Sequence, residues 1–266
     1  MEWFEAVEKV APYVVKIETP RGHGTGFLCL YNEPRNLCGI ATAYHVVEHA
    51  DDWQEPIRLV HKGTAKALFL SEGQRVIFMD EGNDSAVILF PSGQLDLPKE
   101  LIPLIPAGRS AKVGVEVGWL GYPAVTPQNL CFFAGAISAS TKDAYFIDGV
   151  AINGVSGGPV FQPIGDEIYI LGTISAYYPN VRGMGDTLPG LSFAQGVAHF
   201  HETIAKVKSL DEARKTQKQP VPALSPPEPK RAGSPRAAPK AKKTAKKTTK
   251  KKTAKKTAKP SRKRPR

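Results

Sequence analysis

From Tyr13 to Gln195 the chain is cut into short runs of β-branched and aromatic residues, each closed by Gly, Pro or Asn. "YVVKIET", "PIRLVH", "KALFLS", "RVIFMD", "SAVILF", "VEVGWLGYP", "CFFAGAIS", "AYFIDG", "PVFQ", "IYILGTISAYY" and "LSFAQ" read as strands. "GTGFLCLY" and "LCGIATAYHVV" flank the turn-rich "NEPRN" and read as a β-hairpin. No long helical pattern alternates with these runs. A doubly wound α/β sheet is therefore excluded, and an all-β barrel or sandwich remains. Helical spacing occurs only at the two ends of this region. Trp3, Phe4, Val7 and Val10 mark a short entry helix that Pro12 ends, and Val197, Phe200, Ile204 and Val207 mark one face of a closing amphipathic helix.

Beyond about residue 211 the composition changes. Seven prolines fall between Pro220 and Pro239, which predicts an extended linker over 211–239. Residues 240–266 hold no aromatic or large aliphatic side chain, so nothing offsets the entropy of ordering them, and a disordered Lys-rich tail is expected. Of the 36 Lys and Arg residues, 18 lie between Lys230 and Arg266, where there is no Asp or Glu. All 25 acidic residues precede that stretch, so the two parts carry net charges of about −7 and +18. The expected organisation is a folded domain over 1–210, the linker, and the tail.

"MEWFEAVEKV" lacks the basic start and apolar run of a secretory signal, and no apolar run approaches the ~20 residues of a membrane span. A soluble intracellular protein is expected, cytoplasmic with nucleoid or nuclear association. Three cysteines, Cys29, Cys38 and Cys131, do not make an even-numbered disulfide framework. Cys29 and Cys38 could face each other across the hairpin; in a reducing compartment buried thiols are expected.

The stretch "NGVSGGPV" places Ser156 among glycines, which alone describes many turns. Two upstream residues change its meaning. His45 lies in "TAYHVV", and Asp84 opens "NDSAVILF" just before a buried-looking strand, with Asp80 and Asp96 as weaker alternatives. The order His, Asp, Ser is that of the chymotrypsin-like triad. A serine hydroxyl needs a base to become a nucleophile, and a neutral imidazole is one near pH 7. Asp84 would orient His45 and stabilise its cation. The N–H groups of Gly154 and Ser156 would form an oxyanion hole, with glycine permitting the sharp turn and close approach. "HVVEH" also fits a two-histidine zinc motif, but the chain is strand-rich there and no metal or cofactor is expected. His23, His61, His199 and His201 have no triad context and are expected on the surface or in packing. Asp148 and Asn153 are weaker candidates for shaping the nucleophile loop.

Taken in order, "EAVEKVAPYVVKIE", "GHGTGFL", "TAYHVV", "NDSAVI", "LGYP", "GAISAS", "FIDGVAINGVSGGPV" and "GLSFAQ" resemble the trypsin-like serine peptidases, nearest to their HtrA-like branch, over roughly residues 5–200. The resemblance implies two six-stranded-type β-barrels, flanked by the short N-terminal and C-terminal helices. His45 and Asp84 would come from the first barrel and Ser156 from the second. It implies that Val150 floors the primary specificity pocket, so that small or aliphatic residues are preferred over Lys or Arg, whose charge would be buried unpaired. It also implies that Ile174, Ser175 and Ala176 present backbone to a substrate strand. Two residues depart from the family's pattern. Val155 replaces the usual Asn or Asp and leaves the hold on the oxyanion peptide unexplained, and Tyr44 replaces a small residue and could crowd the site. A basic tail, resembling that of linker histones, stands where a PDZ domain would follow.

The function expected is an intracellular serine endopeptidase acting on polypeptides through an acyl-enzyme. The tail would tether it to DNA or another polyanion through Lys242, Lys243, Lys246, Lys247, Lys250, Lys251, Lys252, Lys255 and Lys256. No base-stacking aromatic is present there, so binding should be insensitive to sequence. "PSRKRPR" also fits a localisation signal. The alternative is a pseudoprotease, a scaffold that binds peptide or DNA without cleaving. No membrane partner is expected.

Overall fold

Residues 85–90, "SAVILF", are all buried, and successive side chains enter two different cores. Ala86, Ile88 and Phe90 join one cluster, and Val87 and Leu89 join the other. A strand buried on both faces reads as a continuous apolar run rather than an alternating one. In the computed structural model this strand is central to the N-terminal lobe. The structure describes residues 1–61, 66–181 and 187–218, which all fall within the unit Met1–Pro220.

The N-terminal lobe contains α1 (Trp3–Val10), β1 (Val14–Thr19), β2 (Gly22–Tyr31), β3 (Leu37–Thr42), α2 (Tyr44–Asp52), β4 (Ile57–His61), β5 (Lys66–Leu70), β6 (Val76–Asp80) and β7 (Ser85–Pro91). Its strands form one antiparallel seven-stranded sheet in the order β5-β4-β1-β2-β3-β7-β6. The C-terminal lobe contains β8 (Glu116–Gly121), β9 (Cys131–Ser140), β10 (Ala144–Asp148), β11 (Pro159–Ile164), β12 (Glu167–Val181) and β13 (Thr187–Gly196), and ends in α3 (Ala198–Lys218). These six strands close into a barrel in the order β10-β13-β12-β11-β8-β9. The architecture is the all-β, two-lobed one expected, with a helix at each end. The second lobe closes, whereas β5 and β6 remain unpaired sheet edges among the described residues.

The period-2 alternation of the first lobe explains the two cores. Val15, Ile17, Leu28, Cys38, Ile40, Ile57 and Leu59 fill the inside of its curled sheet, while Val14, Phe27, Cys29 and Ala41 point outward into the core shared with the second lobe and α3. Phe27 meets Phe200 of α3 edge-on, ring centroids 6.0 Å apart. Burial of each such side chain contributes about 1.5–3 kcal/mol. Cys29 and Cys38 are buried free thiols on opposite faces, so no disulfide joins them. Burial pushes both thiols up, Cys38 to about 12.

Three local expectations need correction. The run "ATAYHVV" is not one strand: β3 stops at Thr42 and α2 starts at Tyr44, because Val47 and Ala50, three apart, bury one helical face. In α1 the buried face is Ala6 and Val10, with Trp3 against Phe132 and Phe161, while Phe4 is 66% exposed. The closing helix runs on past "KVKSL" to Lys218, with Asp211 buried where it accepts the Glu33 N–H at 2.8 Å. Lys242, Lys243, Lys246, Lys247, Lys250, Lys251, Lys252, Lys255 and Lys256 lie outside the described residues. No helix among the described residues is long and apolar enough to cross a membrane.

Candidate active site

His45 stands in the first turn of α2, where its own N–H has no helical partner and donates to Asp84 Oδ1 at 3.0 Å. Its ring Nδ1–H donates to the same carboxylate, 2.9 Å from each oxygen. A proton fixed on Nδ1 leaves Nε2 as the basic nitrogen. The pair is half open, the two side chains being 45% and 25% exposed. Burial, the largest influence on the Asp84 carboxyl, raises its pKa. Hydrogen bonds from the His45 ring and the Ser175 hydroxyl, the charge of His45 and the His45 N–H outweigh it and hold the carboxyl below the usual aspartate range.

A tight turn at residues 81–84 delivers Asp84. It ends with Asp84 itself at φ 43°, a left-handed conformation that Asp tolerates better than most residues. Asp80 caps the turn, accepting Asn83 N–H at 3.2 Å and Asn83 Nδ2–H at 2.6 Å. Gln195 of β13 reaches across from the second lobe to donate to Asn83 Oδ1 at 3.1 Å. This separates the three acidic candidates. Asp80 is a cap, Asp96 pairs with Lys66 at the surface, and Asp84 holds the histidine.

The loop 153–158 carries Ser156. The peptide carrying the Gly154 N–H has its carbonyl, that of Asn153, held by Ala124 N–H at 2.6 Å. The peptide carrying the Ser156 N–H has its carbonyl, that of Val155, held by Gly158 N–H at 2.9 Å. A trans peptide points its N–H opposite to its C=O, so both N–H groups are aimed away from these bonds. Neither has an acceptor among the described residues. Gly154 and Gly157 have φ of 91° and 83°, and a Cβ on Gly157 would stand 2.1 Å from Thr25 O and 2.2 Å from Thr42 Oγ1. Thr42 and Ala43 lead directly into α2, so this contact sets the Ser156 loop beside the start of the helix that carries His45. Thr25 N–H donates to Ser156 O at 2.8 Å, a second tie between the lobes. The Ser156 hydroxyl itself makes no hydrogen bond among the described residues; in ligand-free active sites the serine–histidine contact is often long.

The two departures read from the sequence have structural answers. Val155 is fully buried against Gly121, so an apolar plug holds the loop where the resemblance gives Asn or Asp. Tyr44 faces Glu48 on the next turn of α2, with Glu81 and Asp52 nearby. Ile174 does not present its backbone to a substrate. Its N–H and C=O are committed to Gly158 O at 3.0 Å and Gly157 N–H at 2.7 Å, and its side chain is buried. The Ser175 hydroxyl donates to Asp84 Oδ2, a role that "TISA" gives no sign of. Ala176 pairs with Phe193 of β13. Val150 is 47% exposed on a loop that Ser192 clamps, its hydroxyl accepting Ala151 N–H and donating to Gly149 O, both at 2.7 Å.

The remaining histidines are tied to main chain. His23, His61, His199 and His201 each place Nε2–H on a backbone carbonyl, those of Tyr122, Pro12, Phe78 and Ile105. His49 pairs with Glu55 at 3.0 Å while His45 faces Asp84, so the two histidines of "HVVEH" serve different carboxylates. Asn153 contributes its backbone carbonyl to the loop, and Asp148 is exposed at the end of β10. The residues that sequence reasoning missed are Thr25, Ser175 as a side-chain donor, Asn83 and Gln195.

Residues 24–168 match the family described as "Trypsin-like peptidase domain". No curated protein matches the sequence. Among solved structures, the Rv3671c protein of M. tuberculosis H37Rv, a serine-to-alanine mutant in an inactive form, is similar with 21% identity and a TM-score of 0.52, covering 81% of this chain and 92% of that one. An inactive form of the Rv3671c protease matches with 22% identity and a TM-score of 0.51, covering 76% of this chain and 91% of that one. The serine endoprotease of Yersinia pestis matches with 20% identity and a TM-score of 0.56, covering 78% of this chain and 66% of that one. At these identities the likeness is one of fold.

Proposed function

The chain belongs to the trypsin-like peptidase domain family, and from that premise we propose that it is a serine endopeptidase using His45, Asp84 and Ser156. His45 Nε2 takes the Ser156 proton as Oγ attacks the scissile carbonyl, and the resulting oxyanion receives the Gly154 and Ser156 N–H groups. The imidazolium, stabilised by Asp84, then protonates the leaving amine and leaves an ester on Ser156. Water, deprotonated by His45, hydrolyses that ester. The observation that supports this reading is the His45–Asp84 contact, because a carboxylate accepts only and so favours the proton on Nδ1, leaving Nε2 as the base, while the Ser156 loop has two uncommitted N–H donors. The substrate strand would lie along β12 from Ser175 and Ala176 onward. The aliphatic Val150 suits small or aliphatic residues at the cleaved position, and a peptide-library profile dominated by Arg or Lys would refute that preference.

A fluorophosphonate tests the central claim, because only an activated serine reacts with it quickly. The folded protein should be labelled at Ser156. Ser156→Ala should lose labelling and up to about 10⁶-fold in turnover. The alternative, a pseudoprotease that holds peptide without cleaving, is favoured by the unbonded Ser156 hydroxyl, and it wins if native protein binds peptides but resists the label.

The charge asymmetry supports a second part of the proposal. The peptidase domain expected over 1–210 runs on to the end of α3 at Lys218, so that the linker is the remainder of 211–239, and 240–266 are an arm that holds the enzyme on nucleic acid, at a nucleoid or in a nucleus. Each neutralised phosphate releases counterions, so affinity should fall steeply with salt. Removing residues 230–266 should abolish DNA binding at low salt. Unchanged affinity and salt slope in the truncated protein would end the tether proposal.

A further inference from the structure

Resting on the peptidase reading, we infer that Thr25 is the positioning residue for the oxyanion hole, its buried hydroxyl holding the peptide between the two N–H donors. Thr25 lies on β2 of the first lobe and is fully buried. Its Oγ1 donates to Gly154 O at 2.9 Å and accepts Tyr122 N–H at 3.0 Å. Its N–H donates to Ser156 O at 2.8 Å, and its own carbonyl accepts Thr42 Oγ1–H at 2.7 Å. One residue thus ties β2, the strand entering the histidine helix, the start of the loop after β8, and the nucleophile loop.

The Gly154–Val155 peptide is the one that matters. It lies between the peptide that carries the Gly154 N–H and the peptide that carries the Ser156 N–H. Its two polar ends are both held, the carbonyl by Thr25 and the N–H by Ile152 O at 3.0 Å. Gly154 has no side chain to resist rotation, and at φ 91° it occupies a region where glycine moves freely. A turn at ψ of Gly154 that φ of Val155 does not compensate would change the direction of one flanking donor relative to the other. Val155 anchors the loop sideways by packing on Gly121, but an apolar contact is not directional and does not fix a peptide's rotation. The Thr25 hydroxyl is directional. Because its other partner is the Tyr122 N–H, its hydrogen is left to point at Gly154 O.

The space around the site fits this role. A Cβ on Gly154 would meet Tyr122 O at 2.4 Å and His23 Nε2 at 2.5 Å, and one on Gly24 would meet the Val46 methyls and Ser156 O. The loop therefore seats directly against the backbone of β2 and of residue 122, and no water is needed to bridge them.

Thr25→Val keeps the shape and removes the hydroxyl. It should lower kcat by about 10- to 100-fold with KM little changed, since the hole acts on the transition state. Affinity for a peptide aldehyde, which forms the oxyanion, should fall in parallel, while affinity for the uncleaved peptide measured with Ser156→Ala should not. Thr25→Ser should restore most of the loss. Thr25→Ala, which leaves a gap rather than a methyl group at Gly154 O, serves as a second variant should Thr25→Val fold poorly, and unfolding midpoints accompany each. Independently of activity, the Val155 amide should be protected from hydrogen exchange in the native protein and in Thr25→Ser, and lose protection in Thr25→Val. Unchanged kcat, aldehyde affinity and Val155 protection in folded Thr25→Val would overturn the inference and leave the peptidase reading standing. A native protein that resists the fluorophosphonate yet shows the Thr25-dependent protection would do the reverse, keeping the positioning role and removing the chemistry.

Discussion

The two lobes contribute to one site by opposite means. The first is an open sheet whose site residues are fixed by side chains: Asp80 caps the turn, Asn83 links it to Gln195, and Ser175 and His45 bond the carboxylate. The second is a closed barrel whose Ser156 loop is fixed largely by main chain and by missing side chains, at Gly154, Gly157 and Gly158, with uncharged side chains added, the Thr25 hydroxyl on Gly154 O and Val155 on Gly121. Closure accounts for the difference. A barrel has no free edge, so its backbone groups are paired up to the loop and can carry the pairing into it. A turn at the end of an open sheet must find side-chain caps instead. The first half of the site should therefore answer to changes of charge, and the second to changes of volume and to loss of the neutral Thr25 hydroxyl.

The sharpest test on the charge side is Asp84→Asn, which alters little but the charge. An amide facing Nδ1 favours the wrong tautomer, and a loss of about 10⁴-fold in kcat is expected with the fold intact. A loss under tenfold would break the claim that charge governs this half. The same carboxylate shapes acid stability. Its native pKa is lowered, so its contribution is fully present above the ordinary aspartate value of about 3.9 and is lost as pH falls through the lower native value. Asp84→Asn should remove that segment of the acid-unfolding curve.

On the volume side the test is Gly157→Ala. The added methyl group would overlap backbone and Thr42 Oγ1 at a φ of 83°, and a loss of about 3 kcal/mol or more in urea unfolding is expected. Gly93→Ala supplies the control. Its φ is also 83°, but nothing lies within 4 Å, so only backbone strain of about 1–2 kcal/mol applies. Equal costs at both positions would mean that strain alone sets the cost at Gly157 and that crowding adds nothing there.

The same division explains what the sequence could announce. Strand positions were legible because short β-branched and aromatic runs closed by turn residues mark them: "SAVILF" reads as a buried strand and is one. Of the three residues expected from motif order, His45, Asp84 and Ser156, the structure brings His45 and Asp84 into contact. Partners were not legible. Thr25 meets residues 97 and 129 positions away, and nothing in "GHGTGF" records that its hydroxyl faces Gly154 O. Ser175 was read for its backbone because a strand pattern says which face a side chain takes and not which atom awaits it there. The helix at Tyr44 was hidden for a similar reason. "ATAYHVV" is rich in β-branched and aromatic residues, and only packing on the sheet, through Val47 and Ala50, decides for helix.

The smallest expected effect lies where the charge-held half meets α3. His199 is buried, its Nε2–H donates to Phe78 O at 3.3 Å, and its Nδ1 stands 3.9 Å from Asp80, the cap of the Asp84 turn. Burial lowers its pKa, and Lys206 adds to this, against the opposing pull of the Phe78 carbonyl, Asp80 and Glu202. Below the ordinary histidine value of about 6.5 the unfolded chain takes up a proton that the native state refuses. Stability should therefore fall as pH drops from that value to the lower native one, and level off beneath it. His199→Gln keeps a donor for Phe78 O and cannot titrate, so its urea unfolding should lack this step. If native protein and variant show the same pH dependence, the His199 contact adds nothing that titrates. The charge sensitivity of the first lobe would then be confined to His45 and Asp84 themselves.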